Sequence, residues 1–243
     1  KSELGRAIRH GFVASPGMQL VSFDYSQIEL RVAAFLSKDP SLTEIFKDGR
    51  DVHAEVAARV FHVRPEDVNY EQRRRAKVIN FGIIYGMGVN ALKDALGTSR
   101  GEAQEFYDQY FAAFPRLSAY LDEVVADATR RGYTETHFGR KRYFEAIKSS
   151  IPFIRAAAER AAVNAPFQGT AADLLKLAMV EIGAWLEHEK EGDVYMLLQV
   201  HDELVFEIKE SAVESCAKKI KELMEGVLSQ KESASRRSGI PFV

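Results

Sequence analysis

A chain of 243 residues, 46% hydrophobic, can bury a core in one or two domains, yet it holds no apolar run long enough to span a bilayer. No signal peptide is expected from this sequence, and the single cysteine, Cys216, excludes an internal disulfide framework and points to a reducing compartment. A formal charge of −2 and a pI near 6.4 exclude nucleic-acid binding through bulk charge, so any such role must rest on local clusters. The chain starts at Lys1 without Met, ends on the apolar IPFV, and reads as a fragment.

In chain order, Leu20-Val21-Ser22-Phe23 predicts a short strand ending on Asp24. Helical periodicity follows through Ile28, Leu30, Val32, Ala33 and Leu36, until Asp39-Pro40 stops it. Asp51 is placed to cap a helix from Val52 to Phe61. Asn69 with Gln72 reads as a capping box for a helix from Tyr70 to about Tyr85, ended by Gly86 and Gly88. Ser99 with Glu102 opens another helix; Phe114-Pro115 divides it from one running to Arg131 and stopping at Gly132. Tyr133 to Phe144 reads as strand, turn, strand. Phe153 to Asn164 is helical, Pro166 is expected to interrupt it, and Thr170 with Asp173 to cap a second helix reaching about Glu189. A hairpin at Leu197 to Ile208 and an amphipathic helix from Ser211 to about Leu228 follow, and Ser229 to Ser238 is polar and reads as flexible or divergent. The fold class is α+β, a small antiparallel sheet with a mostly helical insertion between its strands.

The hairpin LLQVHDELVFEI carries His201-Asp202-Glu203 at its tip, without the Gly or Asn of a tight turn. Adjacent carboxylates repel and are costly to desolvate unless a cation holds them. If the strand ending on Asp24 pairs with this hairpin, Asp24 and Asp202 meet at one sheet edge. Mg²⁺ prefers oxygen ligands, and two ions about 4 Å apart can clamp both oxygens of an in-line phosphoryl displacement. The plain alternative is a solvated turn.

A second signal is RRRAKVINFGIIYGMG, Arg73 to Gly88. Arg73, Lys77, Phe81 and Tyr85 recur every four residues, and each step drifts only about 40° around a helix, so all four share one face. Cations followed by rings match the order of phosphates, then sugar and base, in a nucleoside triphosphate. The competing reading is a surface stripe whose aromatics pack by chance.

VSFDYSQIELRVAAFLSKDP, RRRAKVINFGIIYGMG and LLQVHDELVFEI resemble, in order and spacing, motifs A, B and C of the family A DNA polymerases, the bacterial DNA polymerase I group. The likeness runs to about Leu228 and includes FPRLSAYL, GYTETHFGRKRY and AAERAAVNAPFQGTAADLLKLAM. It implies an antiparallel palm sheet with a helical fingers insertion: palm at 1–40, fingers at 41–150, palm again at 151–243, without the thumb.

The resemblance implies that Asp24 and Asp202, with Tyr25 beside them, hold two Mg²⁺ ions, and that Glu203 supports them. It gives Arg73, Lys77 and His53 to the triphosphate, Phe81 to the incoming sugar and base, and Tyr85 to the template position. Lys77 is also placed to donate a proton to pyrophosphate. Glu29, the steric gate against a ribose 2′-OH, and Gln27 complete the nucleotide site; Phe81 in place of Tyr implies discrimination against dideoxynucleotides. Arg160, Asn164 and Gln168, with His201, match the face that contacts primer-template DNA, and Arg140 and Arg142 are expected phosphate contacts. The partners implied are primer-template DNA and dNTPs, with no membrane, a monomeric chain and a cytoplasmic location, at the nucleoid if the source is bacterial. The thumb, the exonuclease-like domain and the first part of the palm would precede Lys1, so this chain alone is expected to grip DNA weakly. The rivals are a Mg²⁺-dependent nuclease, which has no need of the triphosphate-matched stripe, and a non-catalytic DNA-binding relative.

Overall fold

The structure, a computed structural model, describes residues 3–189 and 192–231. It divides into two compact units, one formed by the described residues up to Ser26 and from Leu174 onward, the other by Gln27–Asp173. The expected palm and fingers boundaries at 40/41 and 150/151 both fall inside the second unit. Of the polar stretch expected at Ser229–Ser238, residues up to Lys231 continue a helix; the remainder and the closing IPFV lie outside the described residues.

The smaller unit holds α1 (Glu3–His10), β1 (Met18–Asp24), the end of α9 (Pro152–Glu189), β4 (Val194–Val200), β5 (Glu203–Lys209) and α10 (Val213–Lys231). Its sheet is three-stranded and antiparallel in the order β1-β5-β4. β5 alternates, burying Leu204, Phe206 and Ile208 and turning Glu203, Val205 and Glu207 to the other face. α10 buries Cys216, Ile220, Met224 and Val227, spaced for one helical stripe, each burial stabilising by about 1.5–3 kcal/mol. The hairpin starts at Val194 rather than Leu197, with a bulge between Met196 and Leu198. This agrees with the α+β class expected from the sequence.

The larger unit contains α2 (Ile28–Ser37), α3 (Pro40–Lys47), α4 (Val52–Val60), α5 (Tyr70–Ile84), α6 (Val89–Leu96), α7 (Arg100–Ala113), α8 (Pro115–Arg131), the hairpin β2 (Tyr133–Glu135) with β3 (Lys141–Tyr143), and α9 as far as Asp173. Asp51 caps α4, and the capping boxes Asn69/Gln72 and Ser99/Glu102 open α5 and α7 as read from the sequence. Asp39-Pro40 does more than stop a helix. Asp39 is 0% exposed; its Oδ1 accepts from Leu42 N at the start of α3, and its Oδ2 from Arg116 N and Leu117 N at the start of α8. One carboxylate thereby caps two helices of the larger unit.

Pro166 does not interrupt α9, contrary to the sequence expectation. A proline inside a helix costs about 3 kcal/mol through its missing N–H and its clash with the preceding turn. Here the flanking turns bury Ala162, Ala165 and Phe167, and that packing outweighs the loss. Thr170 and Asp173 are not a helix cap either. Thr170 Oγ1 accepts from His137 N, and Asp173 pairs with Arg140 at 2.8 Å, so both hold the β2–β3 hairpin.

Candidate active site

In the smaller unit the antiparallel register sets Asp24 directly opposite Glu203, on the sheet face away from Leu204 and Phe206. Residues so paired have Cβ atoms about 5 Å apart. Asp202 lies in the turn between β4 and β5, where its carbonyl accepts from Tyr25 N at 3.3 Å. The turn needs no Gly because His201 takes the left-handed conformation itself, at φ 58°, one of the few non-glycine residues to do so. Gln199 Nε2 donates to the His201 carbonyl at 2.9 Å and steadies it. The Asp24 carboxyl is pushed above its usual range, first by partial loss of hydration, then by the charges of Asp202 and Glu203.

The donors are all oxygens, which suits a hard cation that keeps waters and takes further ligands from its substrate. Among the described residues no group of three or more His, Cys, Asp or Glu side chains gathers as a metal cage. The Tyr25 side chain is not a ligand: it is 1% exposed and its hydroxyl donates to Met224 O at 2.9 Å, which leaves only its backbone carbonyl for that role. Burial, followed by the charge of Glu225, pushes the Tyr25 phenol up.

In the larger unit α5 buries Ala76, Ile79, Asn80, Ile83 and Ile84 and leaves Arg73 and Lys77 exposed. Arg73 Nε donates to Asp51 Oδ2 at 2.7 Å, while Oδ1 of the same carboxylate caps α4 through His53 N and Ala54 N. Burial works to raise the Asp51 carboxyl, but these hydrogen bonds prevail and hold it below its ordinary range. Lys77 has no ion-pair partner among the described residues. The Phe81 and Tyr85 rings stack at 6.3 Å and 25°, and the Tyr85 hydroxyl donates to Glu29 Oε2 at 2.6 Å. The stripe thus runs cation, cation, ring, ring. Gln27 is the residue before α2, at φ 53°, and its side chain caps nothing.

His53, on α4, is 2% exposed. Its Nδ1 lies 3.0 Å from Asn80 Nδ2, and its ring lies 5.7 Å from that of Phe81. Burial first, then Arg73 and Lys77 against the opposing pull of Asp51, drive its pKa down to about 4.

Arg160, Asn164 and Gln168 follow one another along α9, Arg160 and Gln168 exposed and Asn164 half-buried. Asn164 Nδ2 and Gln168 Oε1 are 3.5 Å apart. Gly86, at φ 73°, ends the turn after α5 against this face: a Cβ there would come within 3.0 Å of Arg160 Cα. Arg140 is less available than an expected phosphate contact would be. Its Nη2 donates to Gly169 O at 2.9 Å and pairs with Asp173. The Arg142 guanidinium lies 5.4 Å from the Phe144 ring centre. Asp51 as partner of Arg73, and Asn80 as partner of His53, were not foreseen. A polar Asn within the buried face of α5 was the available signal.

The model of DNA polymerase family A matches residues 1–234. The chain is 50% identical over 222 residues to DNA polymerase I of Pseudomonas aeruginosa, covering 91% of this chain and 24% of that protein. It is 48% identical over 227 residues to the thermostable DNA polymerase I of Thermus aquaticus, covering 93% of this chain and 27% of that protein. The chain therefore spans about a quarter of the length of these curated relatives. Among solved structures it is similar to the POL domain of Pol1 from M. smegmatis in complex with DNA primer-template and dNTP, with a TM-score of 0.91 and 39% identity over 100% of this chain and 41% of that one.

Proposed function

Since this chain belongs to DNA polymerase family A, we propose that it carries the catalytic residues of a template-directed DNA polymerase, which adds a nucleotide from a dNTP to a primer 3′-OH and releases pyrophosphate. The observation that carries the reading is the exposed face of α5, where Arg73 and Lys77 precede the stacked rings of Phe81 and Tyr85. In this reading the smaller unit is palm and the larger unit contains the fingers.

Arg73, Lys77 and His53 bind the triphosphate, Phe81 lies against sugar and base, and Tyr85 occupies the template position. The Tyr85 hydroxyl holds Glu29, which with Gln27 lines the sugar site and crowds a ribose 2′-OH. The primer hydroxyl loses its proton to solvent as its oxygen bonds to the α-phosphorus, the bond from that phosphorus to the bridging oxygen breaks, and Lys77 gives a proton to the departing pyrophosphate. Asp24 and Asp202, with the Tyr25 carbonyl beside them and Glu203 in support, would hold two Mg²⁺ ions; when bound, these neutralise the acids, acidify the primer hydroxyl and offset charge on the leaving oxygens. Arg160, Asn164 and Gln168, with His201 and Arg142, contact primer-template DNA; Arg140 chiefly braces the hairpin that carries Arg142. Among the described residues no helix is long and apolar enough to cross a membrane, and a monomer working in the cytoplasm at the nucleoid completes the reading.

The test is Mg²⁺-dependent primer extension by a polypeptide of the relatives' length containing these residues, beside its Asp202→Ala variant. Extension by the parent and none by the variant is expected, with DNA binding largely retained. Near-normal extension by Asp202→Ala would remove the metal-site assignment.

A further inference from the structure

His53 on α4 and Asn80 on α5 face each other inside the larger unit, 2% and 0% exposed. Asn80 Nδ2 is 3.0 Å from His53 Nδ1, and Asn80 Oδ1 is sealed from solvent without a partner. A buried amide left half unsatisfied is costly, and its place here calls for a reason. An amide nitrogen can only donate, so His53 Nδ1 accepts and the ring hydrogen resides on Nε2. The reverse orientation of the amide would seal both of its hydrogens without an acceptor, and orphaned buried donors are rarer than underused carbonyls.

His53 Nε2 has no partner among the described residues, and it is not one of the polar atoms sealed from solvent without one. Arg73 and Lys77 act electrostatically on the ring, so His53 belongs to the neighbourhood of the two stripe cations. Burial and these cations keep the imidazole neutral at physiological pH. A neutral imidazole has a single N–H, and its usefulness depends on which nitrogen carries it.

We propose that Asn80 is a positioning residue that locks His53 in the Nε2–H tautomer, so that a neutral histidine donates a hydrogen bond to a triphosphate oxygen. This rests on the reading of His53 as a phosphate contact. With the hydrogen on Nδ1, Nε2 would present a lone pair to the phosphate and repel it. Arg73 and Lys77 supply charge; the Asn80–His53 pair supplies direction.

The test begins with two-bond ¹H–¹⁵N spectra of the ¹⁵N-labelled chain, with His53 assigned against His53→Gln. A protonated Nε2 beside a lone-pair Nδ1 is expected, and the opposite pattern overturns the proposal without recourse to any other variant. dTTP is then titrated into the parent, Asn80→Leu, His53→Gln and the double variant, with folding checked by circular dichroism. Asn80→Leu should lose the tautomer preference and bind dTTP about tenfold more weakly, as for one lost hydrogen bond to a charged group. In the His53→Gln background the same change should cost nothing further. Equal losses in both backgrounds would overturn the proposal, since the amide would then act on something other than His53. Unchanged dTTP affinity in His53→Gln would instead overturn the phosphate-contact reading beneath it, and the spectrum of the parent separates that failure from a wrong tautomer.

Discussion

Asp39→Ala removes the carboxylate that caps both α3 and α8. Three backbone N–H groups, of Leu42, Arg116 and Leu117, lose their acceptor at 3.0–3.2 Å, at a position where Asp39 itself is 0% exposed. A single lost cap costs about 1 kcal/mol, and a buried donor left unpaired about 1–3 kcal/mol. Two caps and an enclosed site place the cost of Asp39→Ala at about 3–5 kcal/mol. Asp39→Asn retains one acceptor oxygen but sets an NH₂ against the remaining donors, so it should recover less than half of that loss. The measurement is urea unfolding followed by helical circular dichroism at constant pH, comparing midpoints at unchanged slope. A loss below about 1 kcal/mol for Asp39→Ala would refute the double-cap argument. So would Asp39→Asn behaving like the parent, since two acceptor oxygens would then not be needed.

Gly169→Ala would bring a Cβ within 2.6 Å of Thr136 Cγ2 and should lower stability by about 1–3 kcal/mol. Thr136→Ser removes that methyl while keeping the hydroxyl that accepts from Arg140 N, so the pair together should melt near the parent. Gly86→Ala meets both a positive φ and the backbone of Arg160; thermal unfolding should show a loss of about 1–3 kcal/mol that no single partner substitution restores. His53 makes stability depend on pH: its folded pKa, about 4, lies below the unfolded 6.5, so the unfolded chain takes up the proton first. The contribution is fully present above pH 6.5 and lost as pH falls towards 4, by about 3 kcal/mol in all. Denaturation of His53→Gln should lack this slope, and an identical slope in both proteins would assign it elsewhere.

What was legible in the sequence was what is written locally. Side-chain caps such as Asn69/Gln72 and Ser99/Glu102 announce helix starts because donor and acceptor are three residues apart. The α5 stripe was legible because one helical face is a fixed spacing. Of the missed elements, α6 begins at Gly88 without a side-chain cap and α1 buries none of its residues, whereas α3 did carry a mark, an Asp cap followed by Pro at Asp39-Pro40, which reads equally as the stop of α2. Pro166 and the Thr170/Asp173 pair depart from expectation for the opposite reason. Their local chemistry is a break and a cap, but packing around Phe167 and the demands of the β2–β3 hairpin, set by residues far along the chain, prevail. Asp51 and Asn80 fall in the same class, since each acts on a partner more than twenty residues away.

The Arg73–Asp51 pair has a consequence for how an anion would be taken up. Arg73 already holds a carboxylate at 2.7 Å, whereas Lys77 holds none among the described residues. A phosphate arriving at Lys77 displaces mobile salt ions, and its affinity there falls as ionic strength rises. A phosphate arriving at Arg73 displaces a tethered anion whose local concentration no dilution changes. On the proposed reading, uptake along this face would be half capture and half exchange, and lengthening a phosphate chain towards Arg73 should add selectivity for charge without adding its full share of salt sensitivity.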